Sequence, residues 1–164
     1  MKDEYYMKKA LKEAEIALKE GNWPIGCVIE LGESIIARAH NQTYSLKNKL
    51  AHAEVLALNQ AQKDLYTNLK QATLYTTYEP CPMCFGASVL SRIKKIVCGI
   101  DLDNSGATYL KENLPLCFKQ DEFEIEVLTG VLAKECAEIF MKSEHAKKLN
   151  KQGLLRKLQN RIDF

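Results

Sequence analysis

Glycine and proline are scarce in this chain, at 8 and 4 of 164 residues. That excludes collagen-like and mucin-like repeats, and the 46% apolar content excludes a disordered chain. No apolar run approaches the ~18 residues that a membrane span requires, so no membrane attachment is expected. The N-terminus, Met1-Lys2-Asp3-Glu4-Tyr5-Tyr6, is charged and lacks the apolar stretch of a secretory leader, which makes the cytoplasm the expected compartment. Histidine occurs only as His40, His52 and His145, and C-x-x-C only once, at Cys81 and Cys84. Neither a second C-x-x-C nor a closely spaced histidine pair is present to close a structural zinc site. No repeat, low-complexity segment or Gly/Pro/Ser-rich linker divides the chain.

Charge is unevenly spread. Residues 142–161 carry seven Lys and Arg against one acid, whereas residues 21–141 are mildly acidic, with 11 Lys and Arg against 14 acids. Two domain assignments follow: a globular body over 1–145 and a basic helical tail over 146–164. Such a tail suits either a solvated terminal helix or a contact with the phosphates of a nucleic acid such as tRNA.

Hydrophobic spacing predicts an amphipathic helix over 4–20, with Met7, Leu11, Ala14 and Leu18 on one stripe and Gly21 as its stop. Ile25–Leu31 and Ser34–His40 read as a hairpin about Gly32-Glu33. Helices are expected over 52–63, 82–91, 131–142 and 153–161, and strands over 72–78, 94–100 and, more weakly, 123–128. Helices alternating with strands argue for a three-layer α/β domain with a mixed sheet. Cys27 and Cys98 sit in apolar runs and read as small buried hydrophobes.

The residues that carry chemistry are His52-Ala53-Glu54 and Pro80-Cys81-Pro82-Met83-Cys84. One imidazole and two thiols make a ligand set suited to zinc, with a fourth tetrahedral position left for water. Cys81 and Cys84, three apart where a helix opens, present their side chains to one side, and the helix N-terminus favours their thiolates. Two thiolates weaken the metal as a Lewis acid, so an auxiliary proton acceptor is needed, and Glu54 is placed for it. His40 is a minor alternative ligand, and His145 lies too far out in the basic tail. Taken singly, Glu54 also suits a first-turn acid on a helix dipole, and Cys81 and Cys84 a redox pair. H-x-E followed by P-C-x-x-C joins them as the signature of zinc-dependent nucleobase deaminases.

At these residues the chain resembles the cytidine and deoxycytidylate deaminase superfamily. It is most similar to the branch of bacterial tRNA wobble adenosine deaminases, guanine deaminases and fungal-type cytosine deaminases. The likeness runs from about Ala10 to Phe140 and includes Pro24-Ile25-Gly26, His40-Asn41, Ala51-His52-Ala53-Glu54, the run from Thr73 to Cys84, and Ser91-Arg92-Ile93. It implies an α/β/α sandwich on a five-stranded sheet, a zinc ion held by His52, Cys81 and Cys84, and Glu54 as proton shuttle. It further implies that the Asn41 side chain and the Ala53 N–H hold the base, that the Glu79 carbonyl faces the departing amino group, and that the chain forms a homodimer or larger homo-oligomer.

The base itself is open at this level. The Asp-Pro-Thr/Ser that usually precedes Ala-His-Ala-Glu in the tRNA and guanine branches is replaced by Asn48-Lys49-Leu50, and Phe85 stands where the tRNA branch usually has alanine. Phe85 either tightens the pocket or packs in the core. Asp101 and Asp103 could accept from an extra amino group, or are solvated loop acids. These departures favour a free base or nucleoside of cytosine or guanine type. The basic tail and Ser91-Arg92-Ile93 favour the alternative, adenosine at the tRNA wobble position. A non-catalytic zinc-binding partner subunit is the reading from another class, and the presence of Glu54 argues against it.

Overall fold

The computed structural model describes residues 1–62, 68–101, 106–118 and 124–150. Helix α1 (Lys2–Lys19) leads into the strands β1 (Gly26–Leu31) and β2 (Ser34–His40), then α2 (Ala53–Ala61), β3 (Thr73–Tyr78), α3 (Pro82–Leu90) and β4 (Lys95–Ile100). A short α4 (Ala107–Glu112) and a 3-10 turn at Leu116–Phe118 come before β5 (Glu126–Leu128), α5 (Ala133–Met141) and α6 (Glu144–Asn150). The five strands form one sheet in the order β2-β1-β3-β4-β5. β1 runs antiparallel to β2 and β3, and β3, β4 and β5 run parallel, so the sheet is mixed as expected.

Helices cover both faces, which is why β1, β3 and β4 read as nearly continuous buried runs rather than as alternating ones. One core joins the sheet to α2 and α3 through Ala57, Leu58, Leu74, Phe85 and Val89. The other joins it to α1 and α5 through Met7, Ala10, Val28, Tyr75, Cys136 and Phe140. Cys27 and Cys98 are fully buried, as small hydrophobes. Phe85 is buried in the first core, which settles it as packing.

Local signals account for the joints. α1 ends in a Schellman arrangement: Gly21, at φ +76°, donates to the Leu18 carbonyl, and Asn22 donates to that of Ala17. Gly26 opens β1 directly under α1, where a Cβ would fall on the Ala10 carbonyl oxygen. Gly32 and Glu33 both take left-handed φ values, +57° and +66°, as a two-residue hairpin turn demands.

Some expectations are corrected. α1 begins at Lys2, α5 is shorter than 131–142, and β5 is confined to Glu126–Leu128. α4 lacks a sequence signal: it is short and carries the exposed Tyr109, so it shows no helical apolar stripe. Ala146, within α6, is fully buried in the second core. The helix expected over 153–161, and Asp103, lie outside the described residues. Among the described residues no helix is long and apolar enough to cross a membrane.

Candidate active site

The sheet brings the start of β1, the end of β2 and the end of β3 to one side, because Gly26 pairs with His40 and Cys27 with Thr76. The chain leaving β3 turns at Pro80 into α3, and the chain leaving β2 loops through 41–51 into α2. The two helices therefore start close together. His52 is the N-cap of α2 and Cys81 that of α3, both in extended backbone, with Pro82 at the first helical turn.

Three ligand atoms meet there. His52 Nδ1 lies 3.7 Å from Cys81 Sγ and 3.4 Å from Cys84 Sγ, and the two sulfurs are 3.6 Å apart. A tetrahedral zinc would set sulfur and nitrogen roughly 3.5 Å apart and two sulfurs roughly 3.8 Å apart, from its usual bond lengths. The triangle matches those edges, and the residues fit zinc without rearrangement. Among the described residues these three form the one group of this kind able to hold a metal ion. His40 does not join them. Its ring nitrogens lie 3.2 Å from Glu13 Oε2 and 3.1 Å from Glu20 Oε2, which ties the end of β2 to α1.

Mutual hydrogen bonding and burial set the electrostatics of the cluster. The hydrogen bond with Cys84 lowers Cys81 most, burial opposes it and His52 adds to it, so that Cys81 comes down to about 4. The same thiol pair, with burial, pushes Cys84 up. The bond to Cys81 raises His52. Glu54, the second residue of α2, is buried, with 3% exposed, and burial pushes its carboxyl up. Its Oε1 accepts from Thr76 Oγ1 at 3.2 Å, and its Oε2 lies 3.5 Å from Cys84 Sγ.

A cavity of ≈500 Å³ opens beside this cluster. His52, Asn41, Thr43 and Lys49 supply its polar wall, and Trp23, Tyr44, Tyr78 and Phe140 its aromatic one. Phe140 stacks between Tyr78 and Trp23, at 4.7 Å and 5.7 Å between ring centroids. Asn41 is buried, and its Oδ1 accepts from the Thr43 N–H and hydroxyl, an Asx turn that spends the acceptor and not the amide donor. Ala53 is fully buried at the first turn of α2. Glu79, also buried, spends its side chain on the Thr108 N–H and hydroxyl and so fastens α4 behind the cysteines.

Several residues here carry no signal in the sequence. Asn22 is fully buried and holds the 41–50 loop, accepting from the N–H groups of Tyr44 and Ser45. His145 stacks on Tyr44 at 3.9 Å, and its Nε2 lies 3.0 Å from the Gly21 carbonyl oxygen, which seats α6 at the cavity rim. Neither pairing has a local signature, because the partners lie far apart in the chain.

The α/β/α sandwich thus sets a His/Cys/Cys cluster able to hold zinc beside a buried glutamate and an aromatic cavity. The cytidine and deoxycytidylate deaminase zinc-binding region matches residues 1–100, and the chain belongs to this family. It is 46% identical over 137 residues to a tRNA-specific adenosine deaminase of Bacillus subtilis, across 82% of this chain and 83% of the relative. A protein of the same name from Streptococcus pyogenes is 36% identical over 152 residues, covering 90% and 88%. Among solved structures, one from work on A-to-I editing by tRNA wobble-position deaminases superposes with a TM-score of 0.68 at 33% identity, covering 82% of this chain and 98% of that one. The guanine deaminase of Nitrosomonas europaea superposes with a TM-score of 0.66 at 25% identity, covering 85% and 82%.

Proposed function

We propose that this chain deaminates adenosine within a tRNA, converting the amino group to a carbonyl and releasing ammonia. The observation that carries the substrate is the 46% identity to a tRNA-specific adenosine deaminase over most of both chains. It favours this reading over the free base or nucleoside that the sequence departures suggested. Lys49 supports it as well. The residue that replaces the usual proline of the branch lies on the cavity wall, where a cation suits a phosphate more than a free base.

In this reading His52, Cys81 and Cys84 hold the zinc. When bound, the metal activates the attacking water as a Lewis acid. Glu54 takes up one proton of that water and delivers it to the ring nitrogen beside the reacting carbon, then takes up the second from the hydroxyl now on that carbon and delivers it to the amino group as the C–N bond breaks. Its burial beside the metal ligands pushes its carboxyl above the usual range, which favours proton uptake. The Asn41 amide and the Ala53 N–H orient the base, and the Glu79 carbonyl faces the leaving amine. Residues 1–145 form the catalytic domain, and the basic residues from 146 onward contact phosphate. A homodimer working in the cytoplasm belongs to the same reading.

An ammonia-release panel on the zinc-loaded protein tests it. The panel contains a tRNA anticodon stem–loop, cytosine, guanine, adenine and their nucleosides. Turnover is expected on the stem–loop, with inosine formed and binding that falls steeply as salt rises, by orders of magnitude between about 50 and 200 mM. Turnover of a free base with little salt dependence overturns the tRNA assignment.

A further inference from the structure

We propose that Thr76 is a positioning residue for the deamination, holding one oxygen of the Glu54 carboxylate so that the other is left to carry protons. The inference rests on Glu54 being the proton carrier and goes beyond it by naming what aims that carboxylate.

Thr76 sits in the middle of the sheet and is fully buried. It faces α2, as Leu74 two residues before it does. Its neighbours on the flanking strands are Cys27 on β1 and Cys98 on β4, so a row of three small polar side chains lies across the sheet near Glu54. Burial pushes both thiols up, which keeps them neutral, and thiols are weak donors. Thr76 is the strong donor of the row. Its Oγ1 lies 3.2 Å from Glu54 Oε1 and 3.2 Å from the Tyr78 carbonyl oxygen.

The two oxygens of Glu54 thus have different surroundings. Oε2 lies next to Cys84, a metal ligand, and Oε1 lies over the sheet. A hydroxyl bond to a carboxylate is charge-assisted and prevails over one to a carbonyl, so Thr76 donates to Oε1 while Glu54 is ionised. With Oε1 bonded to the strand, rotation of the carboxylate is restrained, and Oε2 keeps its place beside the cluster. The Tyr78 carbonyl gives the hydroxyl proton a second acceptor for the part of the cycle in which Glu54 carries a proton, so no donor is left buried and unpaired. A valine at this position fills the same space and supplies none of this.

The test compares Thr76→Val, Thr76→Ser and Glu54→Gln in the zinc-loaded chain, on whichever substrate of the ammonia panel the parent turns over. Thr76→Val is expected to lower kcat by about tenfold to a hundredfold and to leave KM within about twofold, since the bond acts on the chemical step. Zinc content stays stoichiometric and the melting temperature stays close to that of the parent. Thr76→Ser, which keeps the hydroxyl, returns kcat to within about threefold. Should Thr76→Val fail to fold, Thr76→Cys, which repeats the flanking thiols, carries the comparison and is expected to be slow like valine. Parent-like kcat in Thr76→Val, or serine as slow as valine, overturns the proposal. A fully active Glu54→Gln overturns the underlying assignment of Glu54, whatever the Thr76 variants do.

Discussion

The two faces of the sheet bury their acids in different ways. On the α1 side, Glu30 meets Lys2 Nζ at 3.3 Å and accepts from the Glu33 N–H at 2.7 Å. Asp3 accepts from Tyr75 OH at 2.8 Å and pairs with Lys95 Nζ at 3.1 Å. Burial alone would raise Asp3, but these two bonds outweigh it and hold the carboxyl below its usual range. On the α2 side, Glu54 is met by a neutral hydroxyl and a thiol, and burial pushes it up. An acid neutralised by cations serves as a clamp. An acid buried beside a metal-ligand cluster, with no lysine or arginine among the described residues bonded to it, is placed to exchange protons.

The sharpest break of that contrast is at the ligands. Cys84→Ala is expected to lose tightly held zinc and with it all measurable turnover, read by metal analysis after dialysis and by ammonia release. A variant that still holds stoichiometric zinc tightly contradicts the ligand set. Next, Glu54→Gln should keep zinc and lose turnover by about a thousandfold, within the span of general acid–base catalysis. A third test uses the metal-free state. With Cys81 drawn down to about 4, chelator-treated protein at pH 6 should be alkylated by iodoacetamide first at Cys81, while the buried Cys27 and Cys98 stay unmodified. Zinc should suppress that labelling, as peptide mass mapping would read.

The smallest effect belongs to the α1 face. Asp3→Asn should cost about 1 kcal/mol, a figure kept low because Asp3 and Lys95 remain 30% and 27% exposed. The sign with pH follows from the lowered carboxyl. Its contribution is fully present above the unfolded value of 3.8 and is lost as pH falls through the lower folded one. Melting curves of parent and variant should therefore stay apart from about pH 7 to about pH 5 and converge under stronger acid.

Much of this was legible in the residues. Strands β1 to β4 and helices α2 and α3 announce themselves by β-rich runs, by Pro80 and Pro82, and by the polar loop before His52. The ligand triad and Glu54 were legible because their chemistry is unusual: two cysteines three apart, paired with an H-x-E motif, suit a catalytic metal and little else. What was not legible depends on long-range packing. Thr76 reads as an ordinary strand residue until the sheet register sets it near Glu54. Asn22 carries no signal until the loop folds over it. Phe85 had two sequence readings, and only its burial chose the core. The proposed substrate turned on likeness over most of the chain, which the local departure at Asn48-Lys49-Leu50 did not reveal.

The pairing of β3 with its neighbours has one more consequence. Side chains along a strand alternate between faces, so a slip of a single position would turn the Thr76 hydroxyl toward α1 and offer Glu54 the Tyr75 or Thr77 side chain instead. The strand can exchange residues one for one, but it cannot gain or lose one between the hairpin partner and the metal ligands. Catalytic competence here is written in the count of residues as well as in their identity.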